Sequence, residues 1–160
     1  MILFSPGPAN ISKRVKKAAT GEDINHRGLK FEELFNGTRK LLLEICPGAG
    51  QYTPIIFTGS GTAAIEASIV GLKGSINGPL FVVSNGVYSQ RAFEIAVKNG
   101  IDVHKLEFPH DKIPDTDVIA KEIERVKPAA TYLVHHETGT GILNPIDELA
   151  AILRKTVRLY

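Results

Sequence analysis

The chain has 160 residues, of which 43% are hydrophobic and 22% charged, with a formal net charge of +2. That length suits one compact domain with a sizeable core. The near-neutral balance, with lysines and arginines scattered, gives no electrostatic case for nucleic acid. No apolar run reaches the length a bilayer span needs, and the opening Met1-Ile2-Leu3-Phe4-Ser5-Pro6 is broken too early for a signal peptide.

In chain order, Ser5-Pro6-Gly7-Pro8 excludes helix and central strand, because two prolines fix φ and remove donors; it is a loop, ordered or not. Ser12 is placed to cap a short helix over residues 13–19, ended by Gly21. The basic run Lys13-Arg14-Val15-Lys16-Lys17 reads as the solvated face of that helix rather than a binding patch. A longer helix is expected over residues 29–46. Its positions Phe31, Leu34, Phe35, Thr38, Leu41, Leu42 and Ile45 recur at three- and four-residue steps, and Pro47-Gly48 stops it. Cys46, the only cysteine, allows neither an internal disulfide nor a thiol pair for a metal. Among apolar neighbours it reads as a buried, inert thiol, and a reducing, cytoplasmic setting fits it.

From residue 54 the texture changes to alternating strand and helix. Pro54-Ile55-Ile56-Phe57-Thr58 reads as a buried strand, then a helix over residues 63–72, a strand over 80–84, a helix over 89–98 ended by Gly100, and a strand over 101–108. A helix over 115–127 closed by Pro128, a strand over 131–135, a helix from Asn144-Pro145 to about Arg154, and the beginning of a fifth strand over 156–160 complete the pattern. Apolar strands without clear alternation imply a mostly parallel sheet with helices on both faces, an α/β architecture. The organisation expected is an N-terminal loop and helices over residues 1–50 and one α/β domain over residues 54–160. Ending such a sheet on its last strand at Tyr160 leaves apolar surface and an open edge, so a fragment or a disrupted reading frame is expected.

Thr58-Gly59-Ser60-Gly61-Thr62 falls between a strand and a helix. Glycines let the backbone approach a ligand, the helix start offers unpaired N–H groups and a positive dipole end, and Ser60 and Thr62 add hydroxyls. The loop either seats a phosphate or is a tight turn that binds nothing. A Walker-type loop is excluded, since no lysine follows Gly61 before Lys73. Gly59, Gly61 and Ala64 satisfy the loose dinucleotide pattern, but the next strand ends Val82-Val83-Ser84-Asn85-Gly86 without the acid that would hold the ribose, which argues against a nicotinamide cofactor.

Ligands in open α/β sheets sit beyond the carboxyl ends of strands. One such end carries Ser84-Asn85-Gly86-Val87-Tyr88-Ser89-Gln90-Arg91, where Tyr88 either lies over a planar ring or packs on a helix start. Another carries His135-His136-Glu137-Thr138-Gly139-Thr140-Gly141. Adjacent strand residues point to opposite faces, so His135 and His136 do not share one metal ion. Thr138 to Gly141 reads as a hydrogen-bonding turn with hydroxyls toward a pocket. A triad of Ser60, His135 and Asp147 has no support in spacing, because no nucleophile elbow is present.

Taken together, Ser5-Pro6-Gly7-Pro8, Asn25-His26-Arg27-Gly28 with Phe31-Glu32, Thr58-Gly59-Ser60-Gly61-Thr62, Ser84 through Arg91, and His135 through Pro145 occur in an order and spacing that resemble class V aminotransferases of the alanine–glyoxylate, serine–pyruvate and 2-aminoethylphosphonate–pyruvate group. The resemblance implies a pyridoxal 5'-phosphate (PLP) enzyme with the large domain of the aspartate aminotransferase-like fold, incomplete in these residues and without a C-terminal small domain. It assigns Ser60, Gly61 and Thr62 to the cofactor phosphate, Tyr88 to stacking on the pyridine ring, Thr138 to a hydrogen bond near the ring hydroxyl, and Pro6, Gly7 and Pro8 to the substrate side. Glu137 and Asn144-Pro145 match as residues that shape the loop. It also implies a small amino donor (2-aminoethylphosphonate, alanine or serine), a 2-oxo acid acceptor (pyruvate or glyoxylate), and a homodimer. The family's Schiff-base lysine and its pyridine-pairing aspartate have no counterpart here, where the last residues read Thr156-Val157-Arg158-Leu159-Tyr160. No catalytic residue is therefore assigned, no metal is expected, and these residues alone are expected to be inactive. The remaining alternatives are a nicotinamide-binding α/β protein and a non-catalytic binding module.

Overall fold

The sequence supplies apolar segments able to pair and several amphipathic helices to cover them. A computed structural model describes residues 2–45 and 51–156 of the chain. The chain divides into two compact units, Met1–Phe57 and Thr58–Tyr160.

In the first unit, helix α1 (Lys13–Ala19) begins where expected: Ser12 accepts a hydrogen bond from the Val15 amide, satisfying one of the donors a helix start leaves open. Helix α2 (Leu29–Ile45) carries the expected apolar spacing, and Phe31 and Phe35 stack 6.0 Å apart. No residue of α2 is buried, however, and Leu34, Leu41 and Ile45 are 55%, 62% and 78% exposed. The expected end of this helix at Pro47-Gly48 and the expected burial of Cys46 fall outside the described residues.

The strand expected over residues 54–58 does not form, and Ile55 and Phe57 are 78% and 54% exposed. Pro54 brings no N–H to a ladder, and among the described residues no strand lies alongside to pair with the run. An apolar run reports a need for cover; the ladder requires a partner.

The second unit is a three-layer α/β/α arrangement. Its elements are helix α3 (Gly61–Gly71), strand β1 (Leu80–Ser84), α4 (Val87–Lys98), β2 (Val103–Glu107), α5 (Thr116–Val126), β3 (Ala130–Leu133), the two-residue strands β4 (His136–Glu137) and β5 (Ile142–Leu143), and α6 (Ile146–Thr156). The sheet order is β2-β1-β3, all parallel, with Leu80 opposite both Val103 and Ala130. The sheet thus runs outward from β1 to β2, then returns past β1 to β3. Right-handed crossovers in opposite directions put their helices on opposite faces, as the sequence pattern required.

Every residue of β1 is buried, and its alternation divides the core in two. Leu80 and Val82 pack with Ile69, Ala92, Ala96 and Ile101 on the side of α3 and α4. Phe81 and Val83 pack with Ile119, Ile123 and Leu149 on the side of α5 and α6. Asp115 caps α5 by accepting from the Asp117 and Val118 amides at 2.9 and 3.2 Å. Gly100, at φ 65°, supplies the left-handed turn that ends α4. Helix α6 continues through Thr156, so the expected fifth strand begins, if anywhere, among residues 157–160, outside the described residues.

On the flank of α5 next to β2, Glu122 accepts from Arg125 and lies 2.7 Å from His104 Nε2. The Arg125 hydrogen bond, followed by that of His104, overcomes desolvation and lowers the Glu122 carboxyl from 4.5 to about 2. A depressed folded-state value stabilises the fold above the unfolded carboxyl's pKa, and that contribution disappears as pH falls through the folded value. Glu122→Gln is therefore expected to lower the melting temperature at neutral pH. The difference from the parent should shrink between pH 4.5 and about 2, followed by circular dichroism melts. A constant difference across that window would exclude the ion-pair origin. The effect is modest because Arg125 is 63% exposed.

Candidate functional site

Because the sheet order changes direction at β1, the crevice beyond the carboxyl ends of β1 and β3 is a topological switch point, where open α/β sheets bind ligands. Three segments meet the requirements there: the loop that opens α3, the turn from β1 into α4, and the β4–β5 hairpin after β3.

Ser60 is the N-cap of α3, with extended φ −79° and ψ 163°, yet its hydroxyl makes no capping bond. The loop is closed by a turn bond from the Ala63 amide to the Ser60 carbonyl, at 3.0 Å. A side chain built at Gly61 would meet no atom within 4 Å, so the space above the first turn is open. The start of an 11-residue helix thus presents backbone donors with no intrahelical acceptor and an unengaged hydroxyl. Thr62 is tied down differently: its Oγ1 accepts from Arg91 Nη1 at 3.0 Å. The same guanidinium lies 5.5 Å from the centroid of the Tyr88 ring. Arg91 therefore joins the α3 loop to Tyr88 and brings a permanent positive charge beside the start of α3, a tie that its helical position gave no means of reading from the sequence.

Tyr88 lies in the first turn of α4 and is half-buried. The turn below it is locked by Ser89, whose Oγ accepts from the Gly86 amide at 3.2 Å and donates to the Gly86 carbonyl at 2.9 Å. Asn85 and Asn144 form a buried reciprocal amide pair, at 2.8 and 3.2 Å, and Asn144 Nδ2 also donates to the Val134 carbonyl at 2.6 Å. This pair fastens the end of β1 to the segment leading into α6.

The β4–β5 hairpin was not foreseen as strands, since two-residue strands have no periodicity to detect. Its turn is the hydrogen-bonded one expected over residues 138–141: the Thr140 and Gly141 amides donate to the Glu137 carbonyl at 3.1 and 2.8 Å, with Gly141 at φ 80°. The Thr140 hydroxyl turns back to that same carbonyl at 3.3 Å, while Thr138 is half-buried. His135 and His136 are exposed, and among the described residues no three His, Cys, Asp or Glu side chains are grouped to hold a metal ion.

Glu137, expected only to shape the loop, has a setting that the sequence did not announce. It is fully buried, and its Oε2 has no hydrogen-bond partner, while Oε1 accepts only a long 3.4 Å bond from the Gly139 amide. Burial and then the charge of Glu137 push the Tyr132 phenol up. Pro6, Gly7 and Pro8 belong to the other unit, in an exposed bend where Ser5 Oγ donates to the Pro8 carbonyl at 2.7 Å. Among the described residues no helix is long and apolar enough to cross a membrane.

Comparison with known proteins places this geometry in context. The family model described as aminotransferase class-V matches residues 2–159. The chain is 33% identical to a 2-aminoethylphosphonate–pyruvate transaminase of Klebsiella pneumoniae and 34% identical to one of Syntrophobacter fumaroxidans, covering 99% of this chain and 43% of each relative. Among solved structures it resembles a subgroup IV aspartate aminotransferase from Thermus thermophilus, with a TM-score of 0.81 and 30% identity over 98% of this chain and 43% of that one. It also resembles an alanine–glyoxylate aminotransferase from a Nostoc species, with a TM-score of 0.82 and 26% identity over 97% and 41%. The chain thus spans less than half the length of the relatives it matches.

Proposed function

Because the chain belongs to the class-V aminotransferases, we propose that its residues form the phosphate- and ring-binding side of a PLP site. In this reading they are the front part of an enzyme that moves an amino group from a small donor to a 2-oxo acid. The donor class is 2-aminoethylphosphonate, alanine or serine, and the acceptor pyruvate or glyoxylate; a cytoplasmic homodimer is the assembly proposed with it. The observation that carries the reading is the seat at the start of α3, linked through Arg91 to the Tyr88 ring.

The residues present fit the cofactor. Ser60 keeps a free hydroxyl, Gly61 leaves open space, and Thr62 retains its own O–H to donate while it accepts from Arg91. A phosphate dianion there gains helix-start amides, two hydroxyls and a nearby guanidinium. Tyr88, backed by Arg91, offers the stacking surface, and Thr138 is assigned to the ring hydroxyl. The substrate-side role of Pro6, Gly7 and Pro8 rests on resemblance alone. When bound, PLP supplies an electron sink for the carbon that loses or gains the amino group. No lysine here lies in a motif matching the family's cofactor-linking lysine. This 160-residue polypeptide by itself is accordingly proposed not to turn over, and steady transamination by the purified chain would refute that.

Pyridoxamine 5'-phosphate is the probe of choice, because it cannot form imines with surface lysines. Saturable binding by the chain is expected. Pyridoxamine without its phosphate, and the Thr62→Val and Arg91→Leu variants with pyridoxamine 5'-phosphate, should each bind at least about tenfold more weakly, the scale of one charge-assisted hydrogen bond. Equal binding of the phosphorylated and unphosphorylated forms, or saturable binding of NADH instead, would overturn the assignment.

A further inference from the structure

A carboxylate taken out of water without a full set of hydrogen-bond partners is destabilising unless something compensates it. Glu137 is fully buried with one oxygen unbonded, so its retention needs a physical reason. The reason lies across from it. A Cβ built at Gly86 would fall 2.3 Å from the Glu137 carboxyl carbon and from Oε2. Gly86 itself has φ −177° and ψ −176°, an extended conformation open to any residue. The glycine is therefore required for space, and the space is filled by the carboxylate. Gly86 is also the N-cap of α4, so the negative group sits at the positive end of a 12-residue helix, where a charge equivalent to roughly +0.5 resides.

We propose that Glu137 is a positioning residue: packed into the space against Gly86, its carboxylate fixes the first turn of α4, which carries Tyr88, to the β4–β5 hairpin, which carries Thr138. The Gly139 amide ties the same carboxylate to the hairpin turn. Val87 closes the contact, since a side chain at Gly139 would meet its Cγ2 at 3.7 Å. The spacing of the two groups assigned above to the cofactor ring thus rests on this buried contact together with the Asn85–Asn144 pair; this last step rests on the proposed PLP site, whereas the clamp itself does not.

The test separates the two. Amide hydrogen exchange of the full chain without ligand is compared for the parent, Glu137→Ala, Glu137→Gln, Gly86→Ala and the Gly86→Ala/Glu137→Ala double variant. Glu137→Ala should accelerate exchange at least about tenfold in both the first turn of α4 and residues 138–141, leaving β2 unchanged. Glu137→Gln, which keeps the shape, should stay within about threefold of the parent, and Gly86→Ala should cost far less in the Glu137→Ala background than alone. Acceleration confined to the hairpin, or additive effects of the two substitutions, would overturn the clamp. Should Glu137→Ala unfold altogether, Glu137→Asp, whose shorter side chain draws the carboxyl back from Gly86, takes its place in both comparisons with the same outcomes. Pyridoxamine 5'-phosphate affinity is then read on the same proteins, with a loss of about tenfold expected for Glu137→Ala and little for Glu137→Gln. Parent-like affinity in Glu137→Ala would sever the clamp from the ring contacts, whereas a parent that binds nothing would refute the PLP reading and leave the exchange result standing.

Discussion

Phe81→Ala is expected to destabilise the chain by about 3–5 kcal/mol, the cost of emptying a fully packed aromatic site. Phe81 is completely buried on the central strand and packs with Ile119, Ile123 and Leu149. Its ring also stacks on His104, 5.6 Å away and nearly parallel at 5°. The surrounding atoms come from the β-sheet, α5 and α6 at once, so collapse into the void would require three elements to move together. A domain of this kind typically has only about 5–15 kcal/mol in total, so most of the margin would go. Urea denaturation provides the measurement, with Val97→Ala, at a position 52% exposed, as a control expected to change stability by less than about 0.5 kcal/mol. A loss for Phe81→Ala no larger than the control's would mean that this face of the sheet is not the core.

The second large effect is expected at the amide pair. Asn144→Ala removes the partner of both Asn85 amide atoms and the donor to the Val134 carbonyl, all in a buried setting. Unsatisfied buried groups cost about 1–3 kcal/mol each, and Asn85 keeps only its 3.3 Å bond to the Lys112 carbonyl. A loss of about 2–4 kcal/mol is expected for either single alanine variant, but the double variant should lose about 1–2 kcal/mol less than their sum. A double-mutant cycle by chemical denaturation measures this. Strict additivity would mean that the two amides do not sense each other.

How much of this was legible in the residues varies by segment. Strand β1 was read at both its ends because a strand buried on both faces is an unbroken apolar run, and Ser12, Asp115 and Gly100 mark helix ends by local chemistry that needs no tertiary partner. Residues 54–58 gave the same apolar signal as β1 without forming a strand, since hydrophobicity records burial preference and pairing depends on what lies beside the run. The loop proposed to seat an anion was singled out by its glycines and hydroxyls. Arg91 was not, because its tie to Thr62 spans two helices. Glu137 was legible only as a residue that shapes the loop; its burial follows from the missing side chain at Gly86, which no local pattern reports. Gly86 itself was read as part of a turn, though its backbone angles would suit any residue.

The order of the three-stranded sheet has a kinetic consequence. Among the described residues, strands β2 and β3 do not pair with each other, and each is held in the ladder by β1 alone. Residues 80–84 therefore act as a hub, and no subset lacking them can nucleate the sheet. The hub's bond with β2 closes the shorter loop and should form before its bond with β3, which encloses a longer stretch of chain and loses more entropy on closure. The crevice beside β3 is thus the last part of this sheet to be built.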